Sequence, residues 1–169
     1  MFAIMASSIL PDRGEPSVLC VIDFSASSEN ALRSAVHLAS GNQTHLTVLH
    51  PYRLTQAVKK EDLVKLKRDI DEEAALNFKK MSHLLINLNV PFDFRAEVGF
   101  LTDRVQEHLR KNNVTLLVMN KHLALGSWEA FHELIDQLEI PMMIVPENKS
   151  IRGKPPSSRV PGACSSPTM

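Results

Sequence analysis

Asp23 is the first residue whose type and position could do chemistry. It ends an apolar run, Val18-Leu-Cys-Val-Ile-Asp23, and serines follow at positions 25, 27 and 28. A carboxylate there could accept hydrogen bonds from a ribose or adenine edge, or it could cap the helical turn that follows. Seven histidines are scattered along the chain: His37, His45, His50, His83, His108, His122 and His132. No pair at i,i+4 has a third ligand beside it and no H-E-x-x-H occurs, so no metal is expected. His50 and His122 each follow an apolar run, where they could meet, and a strand-capping hydrogen bond is the plainer role for His50. Ser25, Ser28 and Ser127 lie outside any G-x-S-x-G and read as caps rather than nucleophiles. Lys121 is the best single residue for an anion contact, with a surface loop lysine as its plain alternative.

These residues need elements to hold them. Val18–Asp23, His45–His50, Phe92–Val98, Val114–Met119 and Pro141–Val145 read as strands. Most are β-branched or apolar runs without period-two polarity, as expected of strands buried on both faces. Between them lie helical patterns. Ala31, Leu32, Ala35, Leu38 and Ala39 form one apolar face, with Ser27 or Ser28 as N-cap and Gly41 as stop. From Lys60 to Leu88, apolar residues recur every three or four positions among Lys, Arg, Asp and Glu, which predicts one long amphipathic helix. Shorter helices are predicted around Leu101–Leu109 and from Ser127 to Leu138.

Strands alternating with helices predict an α/β fold, an open doubly wound five-stranded parallel sheet with helices on both faces. In such a sheet ligands bind at the carboxyl ends of the strands. The loops to search are therefore Asp23–Ser25, His50–Tyr52, Val98–Gly99 and Asn120–His122. The first of these holds no glycine, so a Rossmann-type pyrophosphate site is excluded, and no Walker loop occurs.

The pattern Val18-Leu-Cys-Val-Ile-Asp23-Phe-Ser25, then Ser28, Ala31-Leu32, Ala35 and Leu38-Ala39, resembles the opening of the universal stress protein family. The distal half is similar too: Leu49-His50, Val98-Gly99, Val105, Leu109, Leu116–Met119 and Pro141–Val145. The resemblance spans Val18 to Pro146. It implies strand order 3-2-1-4-5 and a homodimer formed by the last strand, Met142, Met143, Ile144 and Val145. It also implies that a nucleotide, where one binds, meets Asp23 through its adenosine part. In ATP-binding members a G-x2-G-x9-G-S/T loop wraps the phosphates. Here Asn120 and Leu123 stand at the first two glycines, and Gly126-Ser127 arrives too early. Asp23, His50, Asn120 and Lys121 would then line a vestigial nucleotide pocket.

Charge points the same way. The chain has 19 basic and 19 acidic residues and no net charge, which gives no electrostatic reason to expect nucleic acid or an anionic membrane as partner. From Asn120 to Glu147, Lys121 is the one Lys or Arg among Glu129, Glu133, Asp136, Glu139 and Glu147. That surround repels phosphate. After Asn148 come Lys149, Arg152, Lys154 and Arg159 with no acid. Residues 1–17 read as a flexible extension, 18–146 as the domain, and 147–169 as a disordered basic tail. Cys20 reads as a small core residue and Cys164 as an exposed thiol, with no disulfide framework. No apolar run approaches the ~18 residues of a membrane span, and Met1–Leu10 lacks the basic flank of a signal peptide.

The expected protein is a non-catalytic, cytoplasmic, homodimeric stress-response protein with no cofactor, acting through a protein partner that the residues do not name. The alternative is a nucleotide sensor that holds ATP or AMP weakly at Asp23.

Overall fold

The computed structural model describes residues 14–54, 60–86, 88–125 and 128–147. Most of the N-terminal extension, the basic tail with Cys164, and Gly126-Ser127 lie outside the described residues. The elements are β1 (Ser17–Val21), α1 (Ser28–Asn42), β2 (His45–Tyr52), α2 (Lys60–Met81), α3 (His83–Ile86) and β3 (Phe92–Val98). They continue with α4 (Leu101–Lys111), β4 (Val114–Asn120), α5 (Lys121–Leu125), α6 (Trp128–Gln137) and β5 (Met142–Val145). The strands form one five-stranded sheet in order β3-β2-β1-β4-β5, and every pairing is parallel.

Alternation along β1 divides the core into two layers. Val18, Cys20 and Ile22 face Ala31, Leu32, Ala35, Val36 and Ala39 of α1, together with Phe78 and Leu85. Leu19 and Val21 face Val105 of α4 and Phe131 and Leu134 of α6. All of β1 is buried, which is why its sequence shows no polar alternation. Burial pushes the Cys20 thiol up to about 12, so it is an inert packing residue.

Three local expectations change. The long helix does not run to Leu88: it breaks at Ser82, whose hydroxyl donates to the Lys79 carbonyl at 2.7 Å. Such local side-chain bonding competes with the helical ladder, and the chain restarts as α3. Helix α1 does not stop at Gly41: it reaches Asn42 and ends with Gln43 in the left-handed conformation, φ 53°. Its N-cap is Ser27, but no side-chain cap bond forms there, because the nearby serines are engaged elsewhere. The segment after β4, expected as loop, rolls into α5.

Glycine is required at Gly99, between β3 and α4. Its φ is +148°, and a Cβ there would sit 2.8 Å from Arg104 Nε. Helix α2 is fixed to the sheet through Phe78, which stacks on Phe94 at 4.3 Å and 7° and meets Phe92 edge-on at 6.0 Å. Phe78→Ala is expected to cost about 3 kcal/mol in urea denaturation with helix content retained, whereas a loss below about 1 kcal/mol would mean that α2 is held elsewhere.

Candidate functional site

The switch point of this sheet lies between β1 and β4. The chain leaves β1 toward β2 on one side, and later returns to β4 on the other. Asp23 and Asn120 meet at the carboxyl end of that junction. Register dictates the meeting, since Val21 pairs with Met119 and each chain then continues past its pairing.

Asp23 is surrounded by donors of its own chain. Its Oδ1 accepts from Ser25 N at 3.0 Å, Ser25 Oγ at 2.6 Å, Ser28 Oγ at 2.6 Å and Asn120 Nδ2 at 2.9 Å. Its backbone N–H donates to Ser28 Oγ at 3.1 Å. Phe24 adopts φ 58°, an uncommon conformation for a bulky residue, and this turn folds Ser25 back under the carboxylate. Asn120 is completely buried. Its amide also donates to Ser25 and Ser28, both at 3.1 Å, and its Oδ1 accepts from Leu123 N at 2.7 Å. That last bond caps α5, which explains why a helix starts where a loop was expected.

The second carboxylate oxygen has a different partner. His122 Nδ1 donates to Asp23 Oδ2 at 2.9 Å, with the imidazole 64% exposed. Burial pushes the Asp23 carboxyl up, but the bonds from Ser25, Ser28 and His122 outweigh it. The group is held well below the usual carboxylate range.

The other expected site residues are arranged around this cluster. His50 does not meet His122. Its Nδ1 donates to the Ile22 carbonyl at 3.0 Å, and its ring lies 4.6 Å from Phe24 and 6.0 Å from Tyr52. Tyr52 donates to Asp71 at 2.6 Å, which ties α2 to the same edge of the sheet. Lys121 is exposed at the start of α5. Asp23 and Asn120 thus share one network, His50 lines its flank, and Lys121 stays on the surface. His122, expected to meet His50, bonds Asp23 instead, and the serine hydroxyls donate to the carboxylate that was one candidate cap for their turn. The signal was a histidine two residues beyond the end of an interior strand. Among the described residues, no group of three or more His, Cys, Asp or Glu could hold a metal. No helix of the described residues is long and apolar enough to cross a membrane.

The family model described as "Universal stress protein family" matches residues 16–146. The chain belongs to the universal stress protein family. A search of curated proteins returns no match. Among solved structures, universal stress protein UspA from Lactobacillus plantarum is similar at 17% identity and TM-score 0.62, covering 78% of this chain and 97% of that one. A universal stress protein from Archaeoglobus fulgidus in complex with dAMP aligns at 15% identity and TM-score 0.57, covering 79% and 99%. A universal stress protein in complex with cAMP aligns at 14% and 0.55, covering 78% and 97%. At these identities the structures show a shared fold.

For this universal stress protein the Asp23 network is a stability element. Asp23→Ala is expected to cost about 2 kcal/mol at neutral pH, because buried partners lose a charged acceptor. The folded pKa lies below the unfolded value of ~3.9, so the contribution is complete above that value and vanishes as pH falls toward the folded pKa. Denaturation curves at pH ~7 and pH ~2.5 should therefore show a smaller difference between wild type and variant in acid. A pH-independent difference would contradict the assignment.

Proposed function

We propose that this universal stress protein is a non-catalytic stress-response protein that acts as a homodimer and does not hold ATP in the family's standard way. One observation carries the reading: the crevice carboxylate is occupied by the chain's own donors, four on Oδ1 and His122 on Oδ2. The segment after β4 supports it. Asn120 and Leu123 stand where the family's phosphate loop has glycines, and both are engaged in capping α5. Helix α6, which follows this segment, begins with exposed Glu129, a like charge for phosphate. Cys20, a buried free thiol, fits a cytoplasmic setting.

A second reading keeps some nucleotide binding. The bond from exposed His122 is cheap to break, so Oδ2 could be released to a ligand hydroxyl. The family relatives named with cAMP and dAMP make AMP a better probe than ATP.

Thermal unfolding with ATP, AMP and adenosine separates the two. A ligand at 100 times its Kd adds ~2.7 kcal/mol, so the first reading expects no shift at ~1 mM of any of them. A shift with AMP that Asp23→Ala abolishes would establish the second. Phosphate release from ATP above a buffer control would refute the non-catalytic assignment.

The dimer reading rests on β5. It is an edge strand with Met143 37% and Ile144 40% exposed, an apolar edge that pairing across a two-fold axis would cover. Met143→Glu is expected to convert a dimer to a monomer in sedimentation velocity. An unchanged sedimentation profile would refute β5 as the interface.

A further inference from the structure

Helix α2 is longer than the sheet it covers. The chain leaves β2 at its carboxyl end and re-enters the sheet at the amino end of β3, so α2 runs antiparallel to the strands. Two contacts fix its track. Phe78 stacks on Phe94 at 4.3 Å, and Asp71 accepts from Tyr52 at 2.6 Å. Tyr52 is level with Val98, and Phe94 and Val98 stand about 13 Å apart along β3. Phe78 and Asp71 stand about 10 Å apart along α2. The helix therefore draws level with the end of the sheet near Asp71. The residues before it, 60–70, rise past the carboxyl edge by about 16 Å.

Burial changes at the same place. No residue from Asp62 to Glu73 is buried, and Val64 is 75% exposed. Leu63, Leu66 and Ile70 form a half-buried stripe. Ala74 and Phe78, just beyond, lie in the core. The helix thus has an anchored half and a projecting half. An isolated helix of about 14 residues is marginal in water, so the projecting half needs a hold. The ion pairs Lys67–Asp71 at 2.6 Å and Arg68–Glu72 at 3.8 Å act within the helix and tie it to nothing else. Among the described residues, Tyr52–Asp71 is the one side-chain hydrogen bond that joins this half to the sheet.

The same tyrosine leads to the crevice. Its ring is stacked with His50 at 6.0 Å and 20°, and His50 lies 4.6 Å from Phe24, the residue after Asp23. The projecting half therefore stands on the β2 side of the carboxyl-edge crevice. We propose that residues 60–73 of α2 are an arm that opens and closes beside this crevice, latched by the Tyr52–Asp71 hydrogen bond and pivoting where Ala74 enters the core. Opening widens the approach to the crevice and bares Leu63, Leu66 and Ile70, and closing narrows it. The device rests on neither reading of Asp23, because the latch joins β2 to α2 and needs no ligand.

The test is amide hydrogen exchange of the full-length protein, with Tyr52→Phe and Asp71→Ala beside wild type. Tyr52→Phe keeps the ring beside His50 and removes only the donor. Alanine favours helix over aspartate, so faster exchange in Asp71→Ala cannot come from lost propensity. In wild type, residues 62–73 are expected to exchange roughly tenfold or more faster than residues 74–81. Each variant is expected to speed 62–73 roughly tenfold further and to leave 74–81 and β1 unchanged. The double variant should do no more than Asp71→Ala alone, since both changes break one bond. A second readout follows the arm directly, through spin labels on Lys65→Cys and Lys121→Cys in a Cys164→Ser background. Cys20 is buried and takes no label. By double electron–electron resonance, Tyr52→Phe is expected to add a population at longer distance. Uniform exchange along α2 in wild type overturns the proposal. So do unchanged exchange of 62–73 in the variants, exchange that rises equally in β1, or a label distance that Tyr52→Phe does not alter.

Discussion

A carboxylate drawn partly out of water must be met by donors, or it will not stay ionised. Asp23 imposes that condition at the junction of β1 and β4, and much of the local structure satisfies it. Donors come from the loop after β1, from the first residue of α1, from the end of β4 and from α5. These segments are far apart in sequence, with Asn120 97 positions from Asp23. Asn120 can be fully buried because its amide and its carbonyl are both satisfied. The same bonds start α5 directly after the strand. One anion therefore fixes the start of α1, the start of α5 and the closure of the crevice between them.

The two edges of the sheet are protected by different means. At β3 charged residues alternate with apolar ones, and Phe92 is 41% exposed. Asp93 accepts from Thr47 at 2.8 Å and from Arg95 at 2.6 Å, and Glu97 reaches the buried His108 at 3.1 Å. Charges along an edge discourage pairing with another chain. At β5 the edge carries methionine and isoleucine instead. Between these extremes β1 is wholly buried.

The alternation of strands and helices and the two-layer core were legible because they follow from long patterns, whereas strand order 3-2-1-4-5 came from the family resemblance. The apolar runs of β1, β2 and β4 and the helical spacing of α1 each sum over many residues. The helix break was not legible, because Ser82 reads as an ordinary helix residue until its hydroxyl bonds the Lys79 carbonyl. Helix α5 was hidden for a related reason: its cap depends on an Asn120 orientation set by partners in β1 and α1. Asp23 could be singled out from its place at a strand end. That it caps the turn at Ser25–Ser28 was one of two readings open from the sequence, but the bonds from Asn120 and His122 were not, since they need the parallel register of β4 on β1. Periodicity reports burial averaged over an element, whereas a site depends on single hydrogen bonds across long separations.

The balanced charge of the chain takes on meaning only when it is placed in space. At the carboxyl-edge crevice stands the ionised Asp23, and exposed Glu129 opens the helix that follows. On α1, by contrast, charge is paired locally: Arg33 bonds Glu29 at 3.0 Å. A zero total therefore conceals local fields, and within a Debye length of ~8 Å a ligand feels the local one. A polyphosphate approaching the crevice meets like charge and an acceptor already filled.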